Sequence, residues 1–82
     1  MDRFSYVYIL ESGMHPGAFY VGMATDLKRR LARHNAGAVP PTSKYRPWRI
    51  KTAIAFRNRL RAAAFERYLK NGSGRAFVKK HL

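Results

Sequence analysis

Hydrophobic and polar positions repeat with two different periods along the chain, and the switches between them mark its elements. Residues 4–10 (Phe-Ser-Tyr-Val-Tyr-Ile-Leu) are β-branched and aromatic with almost no helix former, which predicts a buried strand. Ser12, Gly13, Pro16 and Gly17 are turn formers, and residues 19–23 (Phe-Tyr-Val-Gly-Met) read as a second strand, so an antiparallel hairpin is expected. The period then changes at Thr25 and Asp26, either of which can cap a helix. Leu27, Leu31 and His34 recur at i, i+4 and i+7 and define a face that should meet the core. Asn35 and Gly37 stop this helix. Residues 36–47 contain Pro40, Pro41 and Pro47 and no period, so a loop of about twelve residues is expected, a length that tends to be functional in compact domains. Residues 48–56 alternate again, with Trp48, Ile50, Ile54 and Phe56 expected on one face and Arg49 and Lys51 on the other, as in a half-buried third strand. Asn58 can cap a second helix over 59–70, closed by Asn71 and Gly72. Ser73 is expected to cap a short last helix with Phe77 turned inward. The predicted fold is α+β, a three-stranded antiparallel sheet flanked by about three helices, in one domain over 1–82 with no internal repeat.

Two charged residues interrupt the apolar helix faces. Arg30 falls three positions after Leu27 on the core-facing side of the first helix. A guanidinium aimed at a core needs a partner or a job, or it snorkels its head out to water. In the second helix Ala62, Phe65 and Leu69 form a stripe, and Glu66 occupies the i+4 slot at its margin. Of the other acids, Asp2 is terminal, Glu11 lies in a turn and Asp26 is a candidate cap, so Glu66 is the carboxylate placed near a core face. The structural alternative is an ion pair between Glu66 and Arg30 or another arginine, which satisfies both charges and does no chemistry. The predicted hairpin also sets Tyr6 and Tyr8 beside Tyr20. Tyr6 is read as an ordinary strand residue with one polar end.

Composition adds the partner. A chain of 82 residues makes one small domain. It has no Cys, which removes disulfides and thiolate metal sites and fits a reducing, cytoplasmic setting. No apolar run reaches signal-peptide or membrane-span length, so no membrane association is expected. Seventeen Lys and Arg against four acids give a net charge of +13, a field that attracts polyanions. These charges are spread over several elements rather than along one amphipathic helix, which favours nucleic acid over a membrane surface. Lys28, Arg29 and Arg33 on the first helix, and Thr42, Ser43, Lys44, Tyr45 and Arg46 in the proline-rich segment, form a set suited to gripping a phosphate backbone. The plain alternative for that segment is a solvated surface loop.

The residues also bound the chemistry. With no His/Cys cluster and no paired carboxylates, an all-protein zinc site is not expected. Mg²⁺ differs, since it keeps most of its waters and is often bound by one carboxylate plus substrate phosphate oxygens. An Arg beside it would stabilise the charge of a five-coordinate phosphorus. A Tyr could orient or deprotonate the attacking water, although only about one free Tyr in a thousand is ionised at neutral pH.

Val7-Tyr8-Ile9, then Tyr20-Val21-Gly22, then Arg30 and finally Glu66 resemble, in order and spacing, the signature of the GIY-YIG nucleases. The segments 28–35, 46–48 and 66–75 resemble the small, single-domain bacterial branch of that family, whose members are generally regarded as predicted endonucleases. The resemblance implies that Tyr8 and Tyr20 face the reacting phosphate, with Tyr20 the base or water-orienting group. It implies further that Arg30 contacts the phosphate, that His34 assists, and that Glu66 holds one Mg²⁺ or Mn²⁺. The expected activity is metal-dependent hydrolysis of phosphodiester bonds in DNA, branched or single-stranded forms included, with little sequence preference. Repair or processing of DNA at the nucleoid is the expected setting. A non-catalytic nucleic-acid-binding module on the same scaffold is the alternative. The chain departs from the family at two points. Its first motif reads Val-Tyr-Ile where the family has Gly-Ile-Tyr, and Asn71, which looks like a helix end, follows Glu66 too soon to match a late family Asn.

Overall fold

The computed structural model describes residues 3–82, so that Asp2, read above as a terminal acid, lies outside them. The chain runs β1 (Ser5–Ser12), β2 (Phe19–Ala24), α1 (Leu27–Asn35), a 3-10 helix (Pro40–Tyr45), β3 (Trp48–Phe56), α2 (Arg59–Lys70) and α3 (Gly72–His81). The sheet is antiparallel in the order β2-β1-β3. β1 is therefore central, with Val7 to Leu10 all buried, as a near-continuous apolar run requires. The α+β fold with a three-stranded antiparallel sheet and helices is thus the expected one.

Register sorts the side chains into two layers. Tyr8 opposes Gly22 and Leu10 opposes Tyr20, so these residues share one face of the sheet, while Val7 and Ile9 lie on the other, opposite Met23 and Val21. α1 and the 3-10 helix cover the first face, where Leu27, Leu31 and Tyr45 pack on Tyr8, Leu10, Ala24 and Trp48. α2 and α3 cover the second, where Ala62, Leu69 and Val78 join Val7 and Ile9.

Three expectations are corrected here. β3 does not keep its apolar residues on one face, because the register with β1 shifts between Ile9 and Leu10. Leu10 pairs with Ile50, yet Ile9 pairs with Thr52, which leaves Lys51 as the extra residue of a bulge. Trp48 and Ile50 consequently sit on the Tyr8 face, and Ile54 and Phe56 on the Val7 face. Second, the segment 36–47 is not a structureless loop, since Pro40–Tyr45 forms a 3-10 helix that buries Thr42 completely. Third, α3 is capped by Asn71 rather than Ser73. The Asn71 side chain accepts the Gly74 N–H at 2.9 Å, while its own N–H closes α2 on the Tyr68 carbonyl. Gly74 permits this junction: a Cβ there would overlap the Tyr68 carbonyl oxygen.

The other caps are as anticipated. Asp26 accepts the Arg29 N–H at 3.0 Å and Asn58 the Arg61 N–H at 3.1 Å. Asn35 ends α1 and also ties it to the sheet. Its amide accepts the Trp48 N–H at 2.6 Å and donates to the Trp48 carbonyl at 3.0 Å. No helix among the described residues is long and apolar enough to cross a membrane.

Candidate active site

Tyr8 stands at the centre of the first sheet face, 2% exposed, and Gly22 makes room for it. A Cβ on Gly22 would run into the Tyr8 ring and hydroxyl, so the phenol lies across the strand position where a neighbouring side chain would otherwise stand. Its hydroxyl is 2.9 Å from His34 Nε2, and His34 Nδ1 is 2.8 Å from Thr42 Oγ1.

The direction of these bonds follows from proton counting. Thr42 carries one hydroxyl hydrogen, and that hydrogen goes to the Val39 carbonyl at 3.1 Å. Thr42 Oγ1 therefore accepts from His34, which places the His34 proton on Nδ1. Burial first, and then the charges of Arg30 and Arg33, hold the His34 pKa below its ordinary value, so the ring is neutral. Nε2 is then a bare lone pair, and Tyr8 donates its O–H to it. Burial raises the Tyr8 pKa to about 12, against the opposing charge and hydrogen bonding of Arg30. Tyr8 is a neutral phenol at physiological pH, with its proton aimed at His34.

Tyr20 is half-buried on the same face, with its ring centroid 5.0 Å from that of His34. It sits on β2, whose outer edge is free, and Lys70 from α2 reaches that edge with Nζ 5.5 Å from the Tyr20 centroid. Lys70 Nζ is also 3.4 Å from Glu66 Oε2, an i,i+4 pair on α2. Glu66 thus pairs with Lys70, not with Arg30. Its charge contributes to raising the Tyr8 pKa, which places the carboxylate within electrostatic range of the Tyr8–His34 pair. The Glu66 side chain is 23% exposed and so remains open to a substrate.

Arg30 is exposed, as the snorkelling alternative has it, while its charge and hydrogen bonding still act on Tyr8. It lines a polar groove of about 660 Å³ together with Arg3, Arg29 and Arg33, beside the α1 N-terminus at Thr25 and Asp26. Lys28 is exposed on the same helix. The structure therefore gathers Tyr8, Tyr20, His34 and Arg30 on one side of the sheet and brings Glu66 to its edge.

The residues of the 3-10 helix divide. Thr42 is fully buried, so it cannot contact nucleic acid directly; it orients His34, and its carbonyl accepts the Trp48 indole N–H at 2.8 Å. Tyr45 is half-buried between His15 and Trp48, with ring centroids 5.0 and 6.4 Å away. Ser43 bonds the Pro40 carbonyl at 3.1 Å, and Arg46 Nε donates to the Ser43 carbonyl at 2.6 Å. Lys44 is exposed, its Nζ 5.3 Å from the Tyr45 centroid. Lys44 and the exposed Arg46 are what this segment offers to a phosphate.

Sequence reasoning missed Arg3, Lys70 and the orienting role of Thr42. Lys70 had a signal, its i,i+4 spacing from Glu66. Arg3 and Thr42 had none, because only the tertiary fold brings them to the groove and to His34.

Two tyrosines on one face of a three-stranded sheet, an arginine on the helix that follows and a glutamate on α2 are thus set on a small α+β domain. The sequence profile of the GIY-YIG catalytic domain matches residues 4–80, and the chain belongs to that family. It is 37% identical over 71 residues to a UPF0213 protein of Streptococcus pneumoniae serotype 4, a match that covers 85% of this chain and 70% of the relative. A UPF0213 protein of Streptococcus agalactiae serotype V is 32% identical over 81 residues, covering 94% of this chain and 90% of that one. The structure-specific endonuclease subunit SLX1 of Scheffersomyces stipitis is 37% identical over 67 residues, or 73% of this chain and 20% of the subunit. No solved structure matches. Membership of this nuclease family supports endonuclease activity for the chain.

Proposed function

We propose that the chain, as one nuclease domain over 1–82, is a divalent-metal-dependent endonuclease that hydrolyses phosphodiester bonds in DNA with little sequence preference. The observation that carries this reading is the convergence of Tyr8, Tyr20, His34 and Arg30 on one sheet face, with Glu66 at its edge beside Lys70. The arginine-lined groove leads a phosphate backbone to Arg30.

The donor set fits Mg²⁺ or Mn²⁺ as a single ion. No group of three or more His, Cys, Asp and Glu occurs among the described residues, and both His34 nitrogens are engaged; the protein ligand in this reading is Glu66, the carboxylate at the edge of the site. One accessible carboxylate suits an ion whose remaining positions are filled by water and phosphate oxygens. When bound, such an ion neutralises charge that builds on the phosphate.

The chain's own residues supply the rest. The attacking water's oxygen bonds to phosphorus as the bond to the departing oxygen breaks. Tyr20 orients that water and passes its proton toward solvent, and the departing oxygen takes a proton from water. The Arg30 guanidinium donates to the phosphate oxygens as their charge grows. Tyr8 lends no negative charge at neutral pH; with its O–H donated to His34 Nε2, it presents a fixed oxygen to the Arg30 side of the site. A role in DNA repair or processing, at the nucleoid, suits this activity.

The second reading is a nucleic-acid-binding module without turnover, favoured by the Glu66–Lys70 pair and the arginine groove. Nicking of supercoiled plasmid separates the two. The nuclease reading expects open-circular product with Mg²⁺ or Mn²⁺ and none with EDTA. DNA binding without product across plasmid, branched and single-stranded substrates would leave the binding module.

A further inference from the structure

The two edges of the sheet are built differently. β3 carries the exposed Arg49 and Lys51, and the bulge at Lys51 breaks its line, two ordinary means by which an edge strand is kept from pairing. β2 has neither. Its six residues, Phe-Tyr-Val-Gly-Met-Ala, include no charge and no proline, and they pair with β1 in unbroken register. Among the described residues β1 is the only strand beside it, so every second residue of β2 turns its N–H and C=O outward. A concavity of about 560 Å³ opens beside this edge, between the strand and α2 and α3. Val21, Leu69 and Val78 give it an apolar floor, of which Leu69 and Val78 are buried. Lys70, Arg75 and Lys79 line it with positive charge, and Phe19 beside them keeps 41% exposure.

Each of these features constrains the occupant. Outward amides and carbonyls in alternation are satisfied by another extended backbone, which adds itself to the sheet as a strand. The apolar floor takes an aliphatic side chain of that strand. The cations take carboxylates two residues to either side of it, which lie on the same face. A second copy of the chain fits badly, since each copy carries +13 and β2 offers no acid to the cations. A nucleic acid would meet the cations, but its phosphates only accept hydrogen bonds and leave the β2 carbonyls without a donor. We propose that the β2 edge is a docking site for a partner protein, bound through an extended acidic segment that continues the sheet. An aliphatic residue of that segment sits over Val21, Leu69 and Val78, and its acidic neighbours reach Arg75 and Lys79. Because Lys70 lies 3.4 Å from Glu66, the docked strand is next to the candidate active site.

This inference stands apart from the nuclease reading, and its test needs no turnover. The probe is a capped peptide as long as β2 that alternates threonine with, in order, glutamate, valine and glutamate. Titrated into the full chain, it is expected to bind saturably. It should slow hydrogen exchange of the outward amides of residues 19–24 by about tenfold or more. The peptide has two alternately N-methylated forms with the same side chains and charge. The form that loses the donors facing β2 is expected not to bind, and the form that keeps them to bind as before. Arg75→Glu together with Lys79→Glu is expected to weaken binding by roughly tenfold, and both residues are exposed, so the fold is left intact. No protection of residues 19–24 overturns the inference. Equal binding of the two methylated forms also overturns it, since the contact would then be charge alone. A short DNA duplex that protects the same amides as well as the peptide does would overturn it in favour of nucleic acid. Self-association of the chain that protects them without any peptide would overturn it in favour of a second copy.

Discussion

His34 shows how one buried side chain can be assigned a protonation state from its neighbours. Thr42 fixes the proton on Nδ1 by spending its own hydrogen on Val39, and the bare Nε2 then receives the Tyr8 hydroxyl. This arrangement makes stability depend on pH with a definite sign. The folded His34 pKa lies below the unfolded value of about 6.5, so the unfolded chain takes up a proton where the folded one does not. Stability is therefore complete above about pH 6.5 and is lost as pH falls from there. Urea unfolding at pH 7.5 and 5.5 is expected to show a lower midpoint at 5.5, and His34→Gln to flatten the difference. An identical drop in His34→Gln would place the cause elsewhere. Tyr8 has the opposite sign: its folded pKa is raised to about 12, so its contribution is intact below about pH 10 and is lost as pH climbs through 12. The resemblance to the nuclease signature pointed to Tyr8, Tyr20, Arg30, His34 and Glu66, but not to the bonds among them. Thr42 illustrates why: a hydroxyl in a proline-rich segment looks solvated until the fold shows what it caps.

At the scale of elements, legibility followed period. β3 and α2 have the predicted boundaries, because alternation and a 3.6-residue repeat are strong over nine and twelve residues. The bulge at Lys51 was invisible, since one inserted residue flips the faces without altering the order of apolar and polar positions. The 3-10 helix was missed because prolines break the α period yet suit the start of a tight turn. Asn71 carries a role that the pattern gave to Ser73: it ends α2 and begins α3, and so fixes the angle between the two helices that cover the second face. Asn71→Ala is expected to cost about 1 kcal/mol, the ordinary worth of an N-cap. It should lower the urea midpoint with an unchanged slope. An unchanged midpoint would show that the junction is held by the packing of Gly74 and Leu69 instead.

At the scale of the molecule, two features meet on the Tyr8 side of the sheet. The +13 charge, including the arginine-lined groove on α1, draws in a polyanion, and the fold places the neutral Tyr8–His34 pair, an exposed arginine and a single carboxylate where that polyanion arrives. Charge alone is equally consistent with a binding module, so the central claim turns on the one acid near the site. Glu66→Ala, compared with wild type for plasmid nicking in Mg²⁺ and for DNA affinity in EDTA, tests it most directly. The account predicts cutting reduced by roughly 100-fold or more, the scale on which losing one charge-stabilising group acts. Affinity should be unchanged or tighter, because a carboxylate repels phosphate. Wild-type cutting by the folded variant would contradict the account, and so would an unfolded variant, which would show that Glu66 serves its pair with Lys70 rather than the reaction.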